Sequence, residues 1–363
     1  MRIFIILFFV GFIFNKTNSQ NQPRNFSKVD IEDFAQDPAL NVRALEIVND
    51  AFAYPVFLTS NGELGIIMTQ EICKQIDSLK DRKFYIHKAN LSSDSLKLNF
   101  RALAARENSG YGVTIGNPAL VYKLHVDVER SKIVYQENHP KVFYDSMDFW
   151  NDEEGIAIGD PTADCMSIII TRNGGKTWNK ISCESLPKAK EGEAAFAASD
   201  TNIAIVGDHS WVATGGKASR ILYSPDKGKT WEVFDTPIIQ GKETTGMYSI
   251  DFYDEENGFA IGGDYTRPNA ALANKIRTKD GGKTWQVVAD GKSPGYRSCV
   301  QYVPNSDAKE LVAVGFKGVD YSNDGGETWK HLSDEGFYTI RFLNDSIAFA
   351  GGKGRISKLT FRE

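Results

Sequence analysis

The stretch TRNGGKTW, residues 171–178, decides how this chain is read, because close copies return as SPDKGKTW (224–231), TKDGGKTW (278–285) and SNDGGETW (322–329). A phrase that recurs roughly every 50 residues marks a repeat architecture, so the repeats take precedence over any single residue. Each copy has the same physical logic. A Ser or Thr opens a turn, an Asp (Asn173 in the first copy) accepts backbone N–H groups, and the glycines supply the positive φ that a tight hairpin needs. The tryptophan that follows, at 178, 231, 285 and 329, starts a return strand with its ring expected to pack inward. Because four copies supply the same carboxylate or carboxamide, these positions read as structural staples rather than catalytic groups.

The segments before the phrase repeat as well. YDSMDFWNDEEGIAIGD (144–160), YSIDFYDEENGFAIGGD (248–264) and YTIRFLNDSIAFAGG (338–352) share a strand, an acidic turn and a second strand ending in glycine. Weaker copies open at VRALEIV (from 42), FRALAAR (from 100), AAFAASD (194–200) and SCVQYV (from 298), and apolar anchors fall at Leu45, Leu103, Met147, Phe196, Ile250, Val300 and Ile340. This pattern predicts an all-β chain of four-stranded antiparallel units closing into a seven-bladed β-propeller over residues 26–363. The last unit lacks its fourth strand, and FSKVDIEDF (26–34) is expected to supply it and close the ring.

Residues 1–19 stand apart. Arg2 precedes an apolar run from Ile3 to Phe14, and small residues at Thr17 and Ser19 fit cleavage after Ser19. The run is too short for a bilayer that needs about 20 residues. The expectation is therefore a signal peptide, a short linker at 20–25, and an exported chain, periplasmic or extracellular, with no transmembrane segment after cleavage. The whole chain is 41% apolar and 25% charged with a net charge of −5, which suits a globular protein and not a partner of nucleic acid. The four cysteines show no C-x-x-C spacing and the histidines no H-x-x-x-H pair, so neither a metal nor another cofactor is expected. Cys165 and Cys183 sit nine residues either side of Gly174 and are expected to meet as a disulfide across the last two strands of the third repeat.

The phrase S/T-x-D-G-G-x-T-W resembles the Asp-box of bacterial neuraminidase repeat (BNR) propellers. The GGKTW and GGETW spellings, with the strands GFAIGG and LVAVGFKG, are most similar to the photosystem II stability/assembly factor-like branch. The resemblance implies a propeller whose Asp-box turns lie opposite a binding funnel lined by the starts of the inner strands and the loops between second and third strands. At those positions stand Arg43, Arg101, Tyr144, Asp145, Glu193, Tyr248, Arg297 and Tyr338, with Asp160, Asp208, His209, Trp211, Asp264, Tyr265 and Arg267 from the loops.

Three arginines, tyrosines and carboxylates are also the residue types of a sialidase, where arginines clamp a carboxylate and a Tyr–Glu pair attacks the sugar. The sialidase Arg-Ile/Leu-Pro motif is absent, since VRAL and FRAL keep the Arg without the Pro. The reading from sequence is thus a monomeric binding module, assembly-factor-like, holding a protein partner or an acidic or sugar-like ligand in its polar funnel. The alternative is a glycoside hydrolase using funnel carboxylates. An oxidoreductase with a funnel-bound cofactor ranks below both, as no G-x-G-x-x-G turn joins a strand to a helix.

Overall fold

The structure, a computed structural model, describes residues 23–49, 52–93, 96–106 and 109–363. The expected signal peptide lies outside the described residues. Among the described residues no helix is long and apolar enough to cross a membrane.

The chain is all-β, and its inner strands touch one another in chain order until Thr339–Phe342 meets Lys28–Asn49 and closes a ring. Among the described residues the strands form six hydrogen-bonded sheets, so the expectation of seven blades is corrected to six. The cause is one 22-residue strand, Lys28–Asn49. Its first part pairs with the C-terminal strand Ile347–Arg362, from Lys28 opposite Arg362 to Gln36 opposite Arg355. Its second part pairs with Ala53–Thr59. The first and last repeats therefore share one closing sheet of six strands, in the order Thr339–Phe342, Ile347–Arg362, Lys28–Asn49, Ala53–Thr59, Glu63–Thr69 and Phe84–Asn90.

The second sheet begins at Phe100–Arg106, the third at Tyr144–Phe149, the fourth at Ile203–Val206 and the sixth at Cys299–Tyr302, each with four strands. The fifth, built on Thr245–Phe252 and Gly258–Asp264, has six strands because the short pair Glu193–Ala194 and Gly215–Gly216 joins its inner edge. Apolar side chains from facing sheets interlock between blades, as where Tyr111 of the second sheet meets Phe149 and Trp178 of the third. Trp211 of the fourth sheet likewise stacks on Phe252 of the fifth, 3.7 Å between ring centroids.

Each of the four repeated turns works as a staple. Asp280 Oδ1 accepts the Thr284 N–H at 2.9 Å, Thr278 Oγ1 accepts the Gly282 N–H at 3.0 Å, and Trp285 Nε1 donates to the Gly282 carbonyl at 2.9 Å. Burial alone would raise the Asp280 carboxyl, but the hydrogen bonds from Thr284 outweigh it and hold the pKa below the usual range. The staples also join neighbouring blades. Tyr111 Oη donates to the Gly174 carbonyl (2.6 Å), Arg172 to that of Lys227 (2.6 Å), Trp211 to that of Gly281 (2.8 Å) and Arg277 to that of Gly325 (2.9 Å). Gly326 shows why the box needs glycine: its φ is +88° and a Cβ there would stand 2.3 Å from the Phe259 ring of the preceding sheet.

A disulfide joins Cys165 and Cys183, with Cα atoms 5.4 Å apart. The two lie just beyond the strands rather than on them, Cys165 before Ser167–Thr171 and Cys183 in the 3-10 turn Cys183–Ser185.

Candidate functional site

The fourth repeat departs from the expected register, and the departure shapes the funnel. AAFAASD (194–200) was expected to be an inner strand, but that strand is Ile203–Val206, with Gly207 and Asp208 in the turn after it. The preceding segment crosses the axis instead. Arg43 donates to the Ala198 carbonyl (3.0 Å) and Thr339 to that of Ser199 (2.8 Å), while Ser199 donates to the Ser298 carbonyl (2.6 Å). Asp200 accepts the N–H groups of Leu103 (2.7 Å) and Met147 (3.1 Å), and Thr201 Oγ1 donates to Ser249 (2.7 Å). Residues 198–201 thus tie the closing, second, third, fifth and sixth sheets together and close the funnel floor. Small residues suit that place, because only narrow side chains fit where inner strands converge.

Above this floor lies a cavity of about 550 Å³. Of the expected funnel residues, Arg43, Arg101, Asp145, Asp160, Tyr248 and Tyr338 line it, together with the loop residue Tyr265. Phe143, Phe196, Tyr296 and Phe316 line it too, and none of the four was among the funnel residues expected from sequence.

The other expected residues go elsewhere. Glu193 is buried in a double contact with Arg220 (2.6 and 3.0 Å) and accepts the Thr214 hydroxyl. Arg297 is held by Asp320 (2.5 and 2.6 Å), which His331 also meets. Asp264 accepts the Thr266 hydroxyl at 2.6 Å. Asp208 pairs with Lys227 of an Asp-box turn at 3.3 Å, and His209 and Trp211 lie on the strand His209–Ala213, since the register shift moves all three to the Asp-box end. Tyr144 is fully buried and donates to Glu137 at 2.8 Å. Glu137 is itself engaged by Tyr135 and Lys180, neither Tyr144 nor Glu137 lines the cavity, and burial pushes the Tyr144 phenol far up, the opposite of what a nucleophile needs.

Within the cavity the polar groups are only partly satisfied. The Arg43 guanidinium lies 3.9 Å over the Tyr338 ring, and its Nε is buried without an acceptor. Arg101 Nε is likewise buried and unpartnered. Burial first, and repulsion from Arg43 next, bring the Arg101 pKa down to about 10. Asp145 is wholly buried, and neither of its oxygens closes a hydrogen bond of good geometry. Burial and then neighbouring Asp160 hold its carboxyl well above the ordinary range, against the pull of Arg101. Asp160 accepts the Ala195 N–H at 2.9 Å, and burial raises it to about 6. The arrangement offers a free guanidinium fork beside a buried acceptor, suited to a ligand that carries a carboxylate and an adjacent hydrogen-bond donor. Among the described residues no group of His, Cys, Asp or Glu side chains could hold a metal ion.

The BNR/Asp-box repeat family matches residues 320–331, which span the fourth staple. The chain is a β-propeller with a BNR/Asp-box repeat at 320–331. No curated protein sequence matches it. Among solved structures, YCF48 bound to D1 peptide is similar at TM-score 0.60 and 13% identity, over 96% of this chain and 100% of that one. YCF48 from Cyanidioschyzon merolae is similar at TM-score 0.61 and 11% identity, over 92% and 99%. The WD40 repeats of RRP9 follow at TM-score 0.59 and 10% identity, over 94% and 99%. The two YCF48 structures share the propeller fold of this chain. At these identities the likeness is one of fold.

Proposed function

We propose that this Asp-box propeller is a binding module that takes a carboxylate of a protein partner into its funnel. The observation that carries the reading is Arg101, whose guanidinium lines the cavity with a buried, unpartnered Nε beside Arg43. A buried donor without an acceptor is costly, and an incoming carboxylate relieves that cost with charge-assisted hydrogen bonds. The structural likeness to YCF48, solved with a D1 peptide, supports a peptide as the carrier of that carboxylate. Binding is favoured over sugar hydrolysis because Arg297 is engaged by Asp320 and neither Tyr144 nor Glu137 lines the cavity.

The test is fluorescence anisotropy with a labelled tetrapeptide ending in a free carboxylate, compared with the same peptide as its amide. The carboxylate form is expected to bind more tightly, and Arg101→Gln to weaken it by about 1.5–3 kcal/mol, the usual worth of a hydrogen bond to a charged group. Equal affinity of acid and amide, or an Arg101→Gln variant that binds normally, would refute the reading.

A further inference from the structure

The funnel is chemically divided. Its charged side chains, Arg43, Arg101, Asp145 and Asp160, come from the closing, second and third sheets. The rest of the lining, from the fifth, sixth and closing sheets, includes Tyr248, Tyr265, Tyr296, Phe316 and Tyr338, an aromatic wall that Arg43 borders over the Tyr338 ring. We infer that this wall is a specificity subsite for an aromatic side chain carried next to the bound carboxylate. The inference rests on the peptide-binding reading and adds to it what decides which peptide binds.

The geometry of the rings points to a ring as occupant. Phe196 and Tyr248 stack face to face, 4.0 Å apart and 6° from parallel, making a rigid plate beside the funnel floor. Tyr296 meets Tyr248 at 86° and 4.8 Å, so the two form a corner. Phe316 extends that corner at 5.4 Å from Tyr296, and Tyr265 flanks it at 6.4 Å from both tyrosines. Tyr248 directs its hydroxyl away from the corner, to the Thr244 carbonyl at 3.0 Å. Tyr265 is 47% exposed and Phe316 42%, an unusual amount of apolar surface left open on residues that face a cavity. Tyr338 is the exception, since its face is already covered by Arg43. Offset and edge-to-face contacts place ring centroids about 4.5–7 Å apart. A wall with that spacing and a free edge accepts one more ring.

The charged half supplies the complement. With a carboxylate at Arg101 and a donor such as a backbone N–H at Asp145, the adjacent side chain of a peptide would face the aromatic wall across the same cavity.

Labelled Gly-Ser-Ala-X peptides with free carboxylates, X being Phe or Ala, test the subsite by anisotropy. The Phe peptide is expected to bind at least about tenfold more tightly. Phe316→Ala and Tyr265→Ser, both at partly exposed positions, are expected to bring the two affinities together by weakening Phe binding alone, with thermal midpoints unchanged. Equal binding of the Phe and Ala peptides would overturn the subsite while leaving the carboxylate site intact. Loss of both peptides to the same degree in Phe316→Ala would overturn it as well. Failure of both peptides to bind the unaltered protein would overturn both readings together.

Discussion

Asp145 and Asp160 give the funnel a pH dependence that can be worked out residue by residue. Burial raises Asp160 to about 6, so it is neutral below that pH and charged above it, and its charge then acts on Asp145 and on any incoming anion. A bound carboxylate disfavours ionisation of Asp160, so binding draws a proton onto the site. The affinity for a carboxylate peptide is therefore expected to fall as pH rises from 5 to 8, most steeply near 6, and Asp160→Asn to flatten the profile. A titration that is flat in the unaltered protein would contradict this assignment. The residues of this site were partly legible in sequence: Arg43, Arg101 and Asp145 lie on inner strands that their repeats placed, whereas the fourth repeat placed its inner strand wrongly. What could not be read was pairing. Nothing in the sequence says that Asp320 takes Arg297 or that Arg220 takes Glu193, because those partners lie 23 and 27 residues away on other strands.

At the scale of elements, the N-terminal strand is the most informative. Its register with Ile347–Arg362 runs from Lys28 opposite Arg362, and the residues before it dock on the sixth sheet. Arg24 bonds to Glu310 at 3.0 Å and to the Pro304 carbonyl at 2.9 Å. Phe26, only 2% exposed, lies against Tyr321 (4.9 Å) and Phe361 (5.4 Å). Phe26→Ala is expected to cost about 3–5 kcal/mol of stability, through lost burial and the cavity left behind. A chemical denaturation midpoint equal to that of the unaltered protein would show that this segment does not lock the ring.

The pairing of the N-terminal segment with the last repeat was legible, because that repeat lacks a fourth strand; what was not legible is that Lys28–Asn49 runs on without a turn to pair with Ala53–Thr59. Nor was the register of the fourth repeat: AAFAASD has an apolar, strand-like composition, and only the crowding at the axis explains why it crosses there. The Asp-boxes, in contrast, were legible because their turn chemistry is local.

For the whole molecule, the ring has two unlike ends. One carries the Asp-box staples, which bind blade to blade through backbone carbonyls. The other carries the funnel, floored by residues 198–201 and divided into a charged half and an aromatic half. Below the floor, Arg341 anchors the axis, meeting Glu46 at 2.7 Å, Thr339 at 2.8 Å and the Asp200 carbonyl at 3.2 Å. Because the floor is tied to the inner strands of five sheets, the cavity is held by the whole ring and is pre-shaped for a ligand, which lowers the ordering cost of binding.

The most direct measurement is a crystal structure of the protein with the Gly-Ser-Ala-Phe peptide. The account predicts the terminal carboxylate about 2.7–2.9 Å from the Arg101 guanidinium, with the Phe ring against Tyr248, Tyr296 and Phe316. A peptide seated on the Asp-box end, with an empty funnel, would contradict it.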